Sequence, residues 1–172
     1  MNEKSGHLPE EERARIAEAV GVGAIVYNDL SQNPQSDVTF DWDKMLALEG
    51  NTAPYLLYAL ARCRSLARRG AEQGAEAGTL ALGEAAERAL ALRIARTPEV
   101  LQQCAALRRA NPMCDHLYGL AGDLAAFWRD CPVLREDVPP ALRESRLALA
   151  AATDTVMTMG LGWLGLTPLD RM

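Results

Sequence analysis

The chain has 172 residues, 49% of them apolar, and a formal net charge of -5. That length suffices for one domain with a real core, and that apolar share excludes a disordered tail. The net acidity excludes a protein that coats DNA or RNA without regard to sequence, but leaves room for a small local RNA site.

Alanine and leucine dominate while valine and isoleucine are scarce, which favours helices over sheets. In chain order, "LPEEERARIAEAVGVGAIVYNDL" opens with Pro9 and three glutamates, which suit a first helical turn. Gly21 and Gly23 predict a break, hence two short helices. "SQNPQSDVTFDW" reads as a loop, with Asn33-Pro34 marking a turn and Val38, Thr39 and Phe40 favouring extended chain. Asp41 then caps a short helix through Leu48. Gly50 ends it, Thr52 caps the next helix, and Pro54 sits in its first turn. That helix is expected to run to Arg69, with Gly70 as its stop.

"GAEQGAEAGT" is a small-residue loop. Helices follow from Gly83 to Arg96, from Pro98 to Arg109, and from Asn111 as cap to Cys131. "VLREDVPP" connects to a long last helix, and "TPLDRM" forms the tail, which Pro168 prevents from extending that helix. The expected architecture is an all-α helical bundle, a single domain over residues 1–172. No stretch reaches the roughly 18 apolar residues of a membrane span, and the charged N-terminus is unlike a secretory signal, so a cytoplasmic location is expected.

Cys63, Cys104, Cys114 and Cys131 show no C-x-x-C spacing. A zinc site from Cys104, Cys114, His116 and Cys131 departs from the usual ligand spacings, so no metal is expected and the thiols read as reduced and buried. His116 has no acid, serine or cysteine partner at catalytic spacing and reads as structural. Trp42, Phe127, Trp128 and Tyr118 read as core residues.

"NTAPYLLYALARCRSLARRG" raises a sharper question. At roughly 100° per residue, Leu56, Leu60, Cys63 and Ala67 share a sector of roughly 60°, the core face. Tyr55, Tyr58, Arg62 and Arg69 cluster roughly 140° away. Tyrosines at helical spacing are most often half-buried packing residues. Phenol rings beside guanidinium groups also make a platform for unstacked bases and a clamp for phosphates. Arg64, Arg68 and Arg69 read as a solvated face or as phosphate contacts. Spacing alone names no ligand.

The residues Ala24 to Arg69, "AIVYNDLSQNPQSDVTFDWDKMLALEGNTAPYLLYALARCRSLARR", are similar to the stretch that opens the C-terminal, DALR-type anticodon-binding domain of arginyl-tRNA synthetases. "LYGLAGDLAAFWRDCPVL", "LRESRLAL" and the ending "GLTPLDRM" fit as well. The resemblance implies a helical bundle that recognises the anticodon loop of arginine tRNA. It carries contacts with that loop onto Tyr55, Tyr58 and Arg62, and a contribution onto Met172. It also implies a tail folded back beside Tyr55 and Tyr58, with Leu169 as its anchor. Leu57 departs from the family, which often has glutamine there.

Residues 1–20 resemble the family's linker from a catalytic core. The sequence contains neither the HIGH-like and KMSKS-like signatures nor a glycine-rich phosphate loop after a strand. No cofactor is expected in this chain, and ATP is implied only for a full-length synthetase. The chain is then either the anticodon-binding part of an arginine–tRNA ligase, partnered by the catalytic part, or a stand-alone paralogue that binds tRNA or protein.

Overall fold

The computed structural model describes residues 9–33, 35 and 40–172. The resemblance of residues 1–8 to a linker, the turn at Pro34 and the extended reading of Val38 and Thr39 lie outside the described residues. Among those described, every regular element is a helix.

Pro9 and the acidic first turn Glu10–Glu12 start α1 (Glu10–Ser31), where carboxylates face the positive end of the helix dipole. α1 is one continuous helix, not two. A Cβ on Gly21 would meet nothing within 4 Å, and Gly23 packs against Ala53 and Leu166 at van der Waals distance. Their lower helix propensity costs about 1 kcal/mol each, and tertiary packing overrides it.

Asp41 accepts from the backbone N–H groups of Asp43 and Lys44 and starts α2 (Trp42–Met45), which ends before the expected Leu48. Thr52 Oγ1 accepts from Tyr55 N at 3.2 Å and opens α3 (Ala53–Glu72). α3 passes Gly70 and stops before Gly74, whose φ of +68° suits a residue without Cβ. Gly70 is instead a contact point: a Cβ there would lie 3.1 Å from the Leu147 side chain.

α4 (Ala85–Ala95) begins with a capping box. Glu87 Oε2 accepts from the N–H groups of Gly83 and Glu84 at 2.8 and 2.9 Å. α5 (Thr97–Leu107) follows directly. α6 (Asn111–Asp130) includes Asn111 as its first helical residue, with Ala110 rather than Asn111 in the cap position. α7 (Pro140–Trp163) is the longest helix. Gly165, at φ +75°, turns the chain into the tail.

α3 packs against α7, α1 and α6, and α4 packs against α6. Leu56, Leu57, Leu60, Leu117, Leu120, Leu124, Phe127 and Leu161 are fully buried at the centre. Burying each such side chain contributes about 1.5–3 kcal/mol. Leu57 thus occupies a position where leucine, unlike glutamine, brings no amide to satisfy. Ala67, expected on the core face, is exposed. α3 and α7 approach closely at Gly70, so crossing helices carry the covered stripe around α3.

The polar side chains at the centre of the bundle are matched, whereas Asn111 Oδ1 and Arg143 Nε are buried without a hydrogen-bond partner among the described residues. Glu87 and Arg146, 1% and 5% exposed, pair at 2.7 Å, and Arg146 also donates to the Pro132 carbonyl. Burial raises the Glu87 pKa, but the N–H groups and Arg146 outweigh it and hold the carboxyl below its usual range. His116, buried, lies 3.0 Å from Thr97 Oγ1, which donates its own proton to the Ile94 carbonyl. Thr97 must therefore accept from His116 Nε2–H, which fixes the tautomer. Cys63, Cys114 and Cys131 are buried, while Cys104 is half-buried. Burial pushes the Cys63 and Cys114 thiols up to about 12, so they stay protonated.

Candidate RNA interface

Three elements build the candidate surface. The Thr52 cap sets the start of α3 and therefore the direction in which Tyr55 and Tyr58 project. α6 runs beside α3 and supplies Tyr118 and Trp128. The tail after α7 folds back onto α3 at Arg64 and Arg68.

Tyr55 is half-buried and meets Tyr118 edge-on, with ring centroids 5.8 Å apart and an interplanar angle of 65°. Burial and the neighbouring Tyr118 raise the Tyr55 phenol pKa, keeping it neutral. Tyr58 is 38% exposed. The Arg62 guanidinium lies between two rings, 5.7 Å from the Tyr58 centroid and 4.4 Å from that of Trp128. Such stacking holds a flat cation in place without using its N–H donors. Arg69 is exposed two turns further along the same face. Arg62, Arg68 and Arg69 form no ion pair among the described residues.

The structure thus brings Tyr55, Tyr58 and Arg62 together and adds two residues that the sequence reading assigned to the core. Tyr118 is 40% exposed. Trp128 is half-buried and carries Arg62 on its face. Their α6 spacing, ten residues apart, held a signal, but only the pairing of α6 with α3 reveals it. Trp42 is also no core anchor: it is 52% exposed and stacks edge-on with Phe40 at 4.9 Å. Phe127 is buried as expected.

The tail folds back on the bundle, with Leu169 and Met172 half-buried against the core. Its fixed residues do not stand beside Tyr55 and Tyr58. Asp170 accepts from Arg64 Nη1 at 2.7 Å through its carboxylate and from Arg68 Nη1 at 3.1 Å through its carbonyl. Arg171 pairs with Glu12 of α1 at 3.2 Å. The tail is therefore held on α3 at Arg64 and Arg68 and on α1 at Glu12. The physical reason lies at Gly165 and Leu166: the turn sends the chain along α1, where Leu166 packs on Gly23.

Arg64, grouped by sequence with the exposed arginines, is engaged internally. Its Nε donates to Asp154 at 3.1 Å and its Nη2 to Thr158 at 2.9 Å. No group of three or more His, Cys, Asp or Glu residues suited to a metal ion occurs among the described residues, and none of their helices is long and apolar enough to cross a membrane.

Comparison with known proteins gives the surface a context. The profile described as "DALR anticodon binding domain" matches residues 56–172. An arginine–tRNA ligase of Chloroflexus aggregans is 46% identical over the whole chain, which covers 30% of that protein. The chain spans about a third or less of the length of the curated relatives it matches. Among solved structures, Thermus thermophilus arginyl-tRNA synthetase superposes with a TM-score of 0.88 at 30% identity, over 99% of this chain and 29% of that one. The Plasmodium falciparum arginyl-tRNA synthetase gives 0.79 at 26% identity, over 92% of this chain and 28% of that one. The chain belongs to the family of DALR anticodon binding domains, in the form that arginyl-tRNA synthetases carry.

Proposed function

We propose that this domain recognises the anticodon loop of arginine tRNA, as the anticodon-binding part of an arginine–tRNA ligase acting in the cytoplasm. Tyr55 and Tyr58 offer ring faces to bases splayed from the loop. Arg62 lies preset between Tyr58 and Trp128 with its N–H groups free for a base edge or a phosphate. Arg69 supplies charge further along α3, and Met172, carried on the tail that Arg64 and Arg68 hold, presses on a base with its flexible thioether. Recognition is the whole of the mechanism here; ATP, arginine and the acceptor end belong to the rest of a ligase.

The observation that carries the reading is the Tyr58–Arg62–Trp128 stack at the protein surface. Aromatic rings and an unpaired arginine, held outward on a chain of net charge -5, supply a local cationic and stacking site. The test is a fluorescence titration of the anticodon stem-loop with the wild-type chain and with Arg62→Ala. Wild type should bind and the variant should bind several-fold more weakly, with a shallower salt dependence. Equal affinity of the two would refute the role of Arg62.

A second reading, contact with another protein segment, is favoured by Val22, Ile25, Phe40, Trp42, Leu46 and Leu48. All six are exposed apolar side chains on α1 and around α2. The catalytic part of the ligase is the partner proposed for them.

A further inference from the structure

We propose that Arg64 is a positioning residue that straps the carboxyl-terminal tail to α3 and α7 and so presets the tail's contact with RNA. This rests on the RNA-binding reading above and adds a residue and a role to it.

Sequence places Arg64 in a run with Arg62, Arg68 and Arg69, where it could pass for another phosphate contact. The structure separates it from them. Its side chain is only 19% exposed, and all three guanidinium nitrogens are committed. Nε meets Asp154 of α7, Nη2 meets Thr158 of α7, and Nη1 meets Asp170 of the tail. Thr158 in turn donates to Asp154 at 3.0 Å, which holds the carboxylate that orients Arg64. One side chain on α3 thereby reaches α7 and the tail, 90 to 106 residues further along the chain.

The tail needs such a device. After the turn at Gly165 its backbone has no regular structure, and a free end of this length frays. The Asp170 carbonyl receives Arg68, and Arg171 reaches Glu12 across a groove lined by Arg15, Ile16 and Pro168. Arg68 and Arg64 lie one turn apart on α3, so the tail is held along the Arg64–Arg68 flank of that helix. Two carboxylates on one guanidinium also cancel its charge locally. Arg64 should therefore contribute nothing to the electrostatics of RNA binding, whereas its neighbours Arg62 and Arg69 should.

The experiment uses the whole chain in three forms, wild type, Asp170→Asn and Asp170→Glu, with Arg64→Gln as a fourth. Asp170 is exposed, so its replacements leave the fold in place, and thermal melts verify this. Carboxypeptidase release of Met172 and Arg171 reports the strap directly. Stem-loop affinity as a function of salt reports its consequence. Breaking an exposed charge-assisted contact should speed release and weaken binding by about two- to fivefold in Asp170→Asn, with Asp170→Glu restoring both. In Arg64→Gln affinity should fall while the slope of log K against log salt stays at the wild-type value. Loss of one phosphate contact would instead shift that slope by about 0.7.

Unchanged carboxypeptidase release in Asp170→Asn would overturn the strap, and a shallower salt slope in Arg64→Gln would make Arg64 an RNA contact instead. A wild-type chain that binds no stem-loop would defeat the RNA reading, and the release rates would still decide the strap by themselves.

Discussion

At the scale of single residues, the surface works because exposure and fixation coincide. A free tyrosine or arginine would lose side-chain entropy on meeting a base. Arg62 is already stacked on Trp128, and Tyr55 is already held edge-on by Tyr118. Tyr58→Ala should weaken stem-loop binding by about five- to hundredfold, the worth of a base stack of about 1–3 kcal/mol. Its melting temperature should fall less than that of Phe127→Ala, since truncating a core aromatic costs about 3–5 kcal/mol. A Tyr58→Ala chain that lost its thermal transition while binding normally per folded molecule would make Tyr58 a packing residue.

His116 gives a second residue-level test. Burial, followed by the nearby Arg93, lowers its pKa below the ordinary value. The folded state thus favours the neutral ring that donates to Thr97, while the unfolded chain takes up a proton near pH 6.5. The unfolded state then binds more protons, so stability is present above that pH and is lost as pH falls below it. Thermal melts between pH 7.5 and about 5.5 should show a steeper loss for wild type than for His116→Gln. Parallel curves would contradict this.

At the scale of elements, caps and ion pairs decide where helices start and how they dock. Thr52 aims the tyrosine face, so Thr52→Ala should cost about 1 kcal/mol of stability, seen as a lower urea midpoint with the slope unchanged. Arg146→Met leaves Glu87 buried with its N–H partners but without its cation. The expected loss is about 3–5 kcal/mol, far more than Arg129→Met should cost, whose pair with Asp130 is exposed. Comparable urea midpoints for Arg146→Met and Arg129→Met would contradict the assigned burial.

Element boundaries were legible in the sequence where local chemistry sets them. Asp41 and Thr52 cap as their side chains predict. They were illegible where packing sets them: Gly21 and Gly23 lie inside α1, and Gly70 is a close helix contact rather than a stop. The same divide runs through the site. The spacing of Tyr55, Tyr58 and Arg62 shows a face apart from the leucine stripe. The exposure of Tyr118 and Trp128, and the tail's anchorage at Arg64, depend on which helices become neighbours, and no local pattern carries that.

At the scale of the whole molecule, the seven helices of the described residues hold one strip of α3 outward beside α6. The sequence holds no nucleotide-binding signature, so the purified chain should catalyse no arginine-dependent ATP–pyrophosphate exchange. Exchange above the blank would contradict a purely recognising domain. The central claim is sequence-selective binding of the anticodon loop, and the most direct measurement is a salt-resolved titration of arginine-tRNA anticodon stem-loop against an unrelated stem-loop. The arginine stem-loop should bind more tightly at moderate salt, with affinity that falls as salt rises through a few phosphate contacts. Equal affinity for the two stem-loops would contradict it.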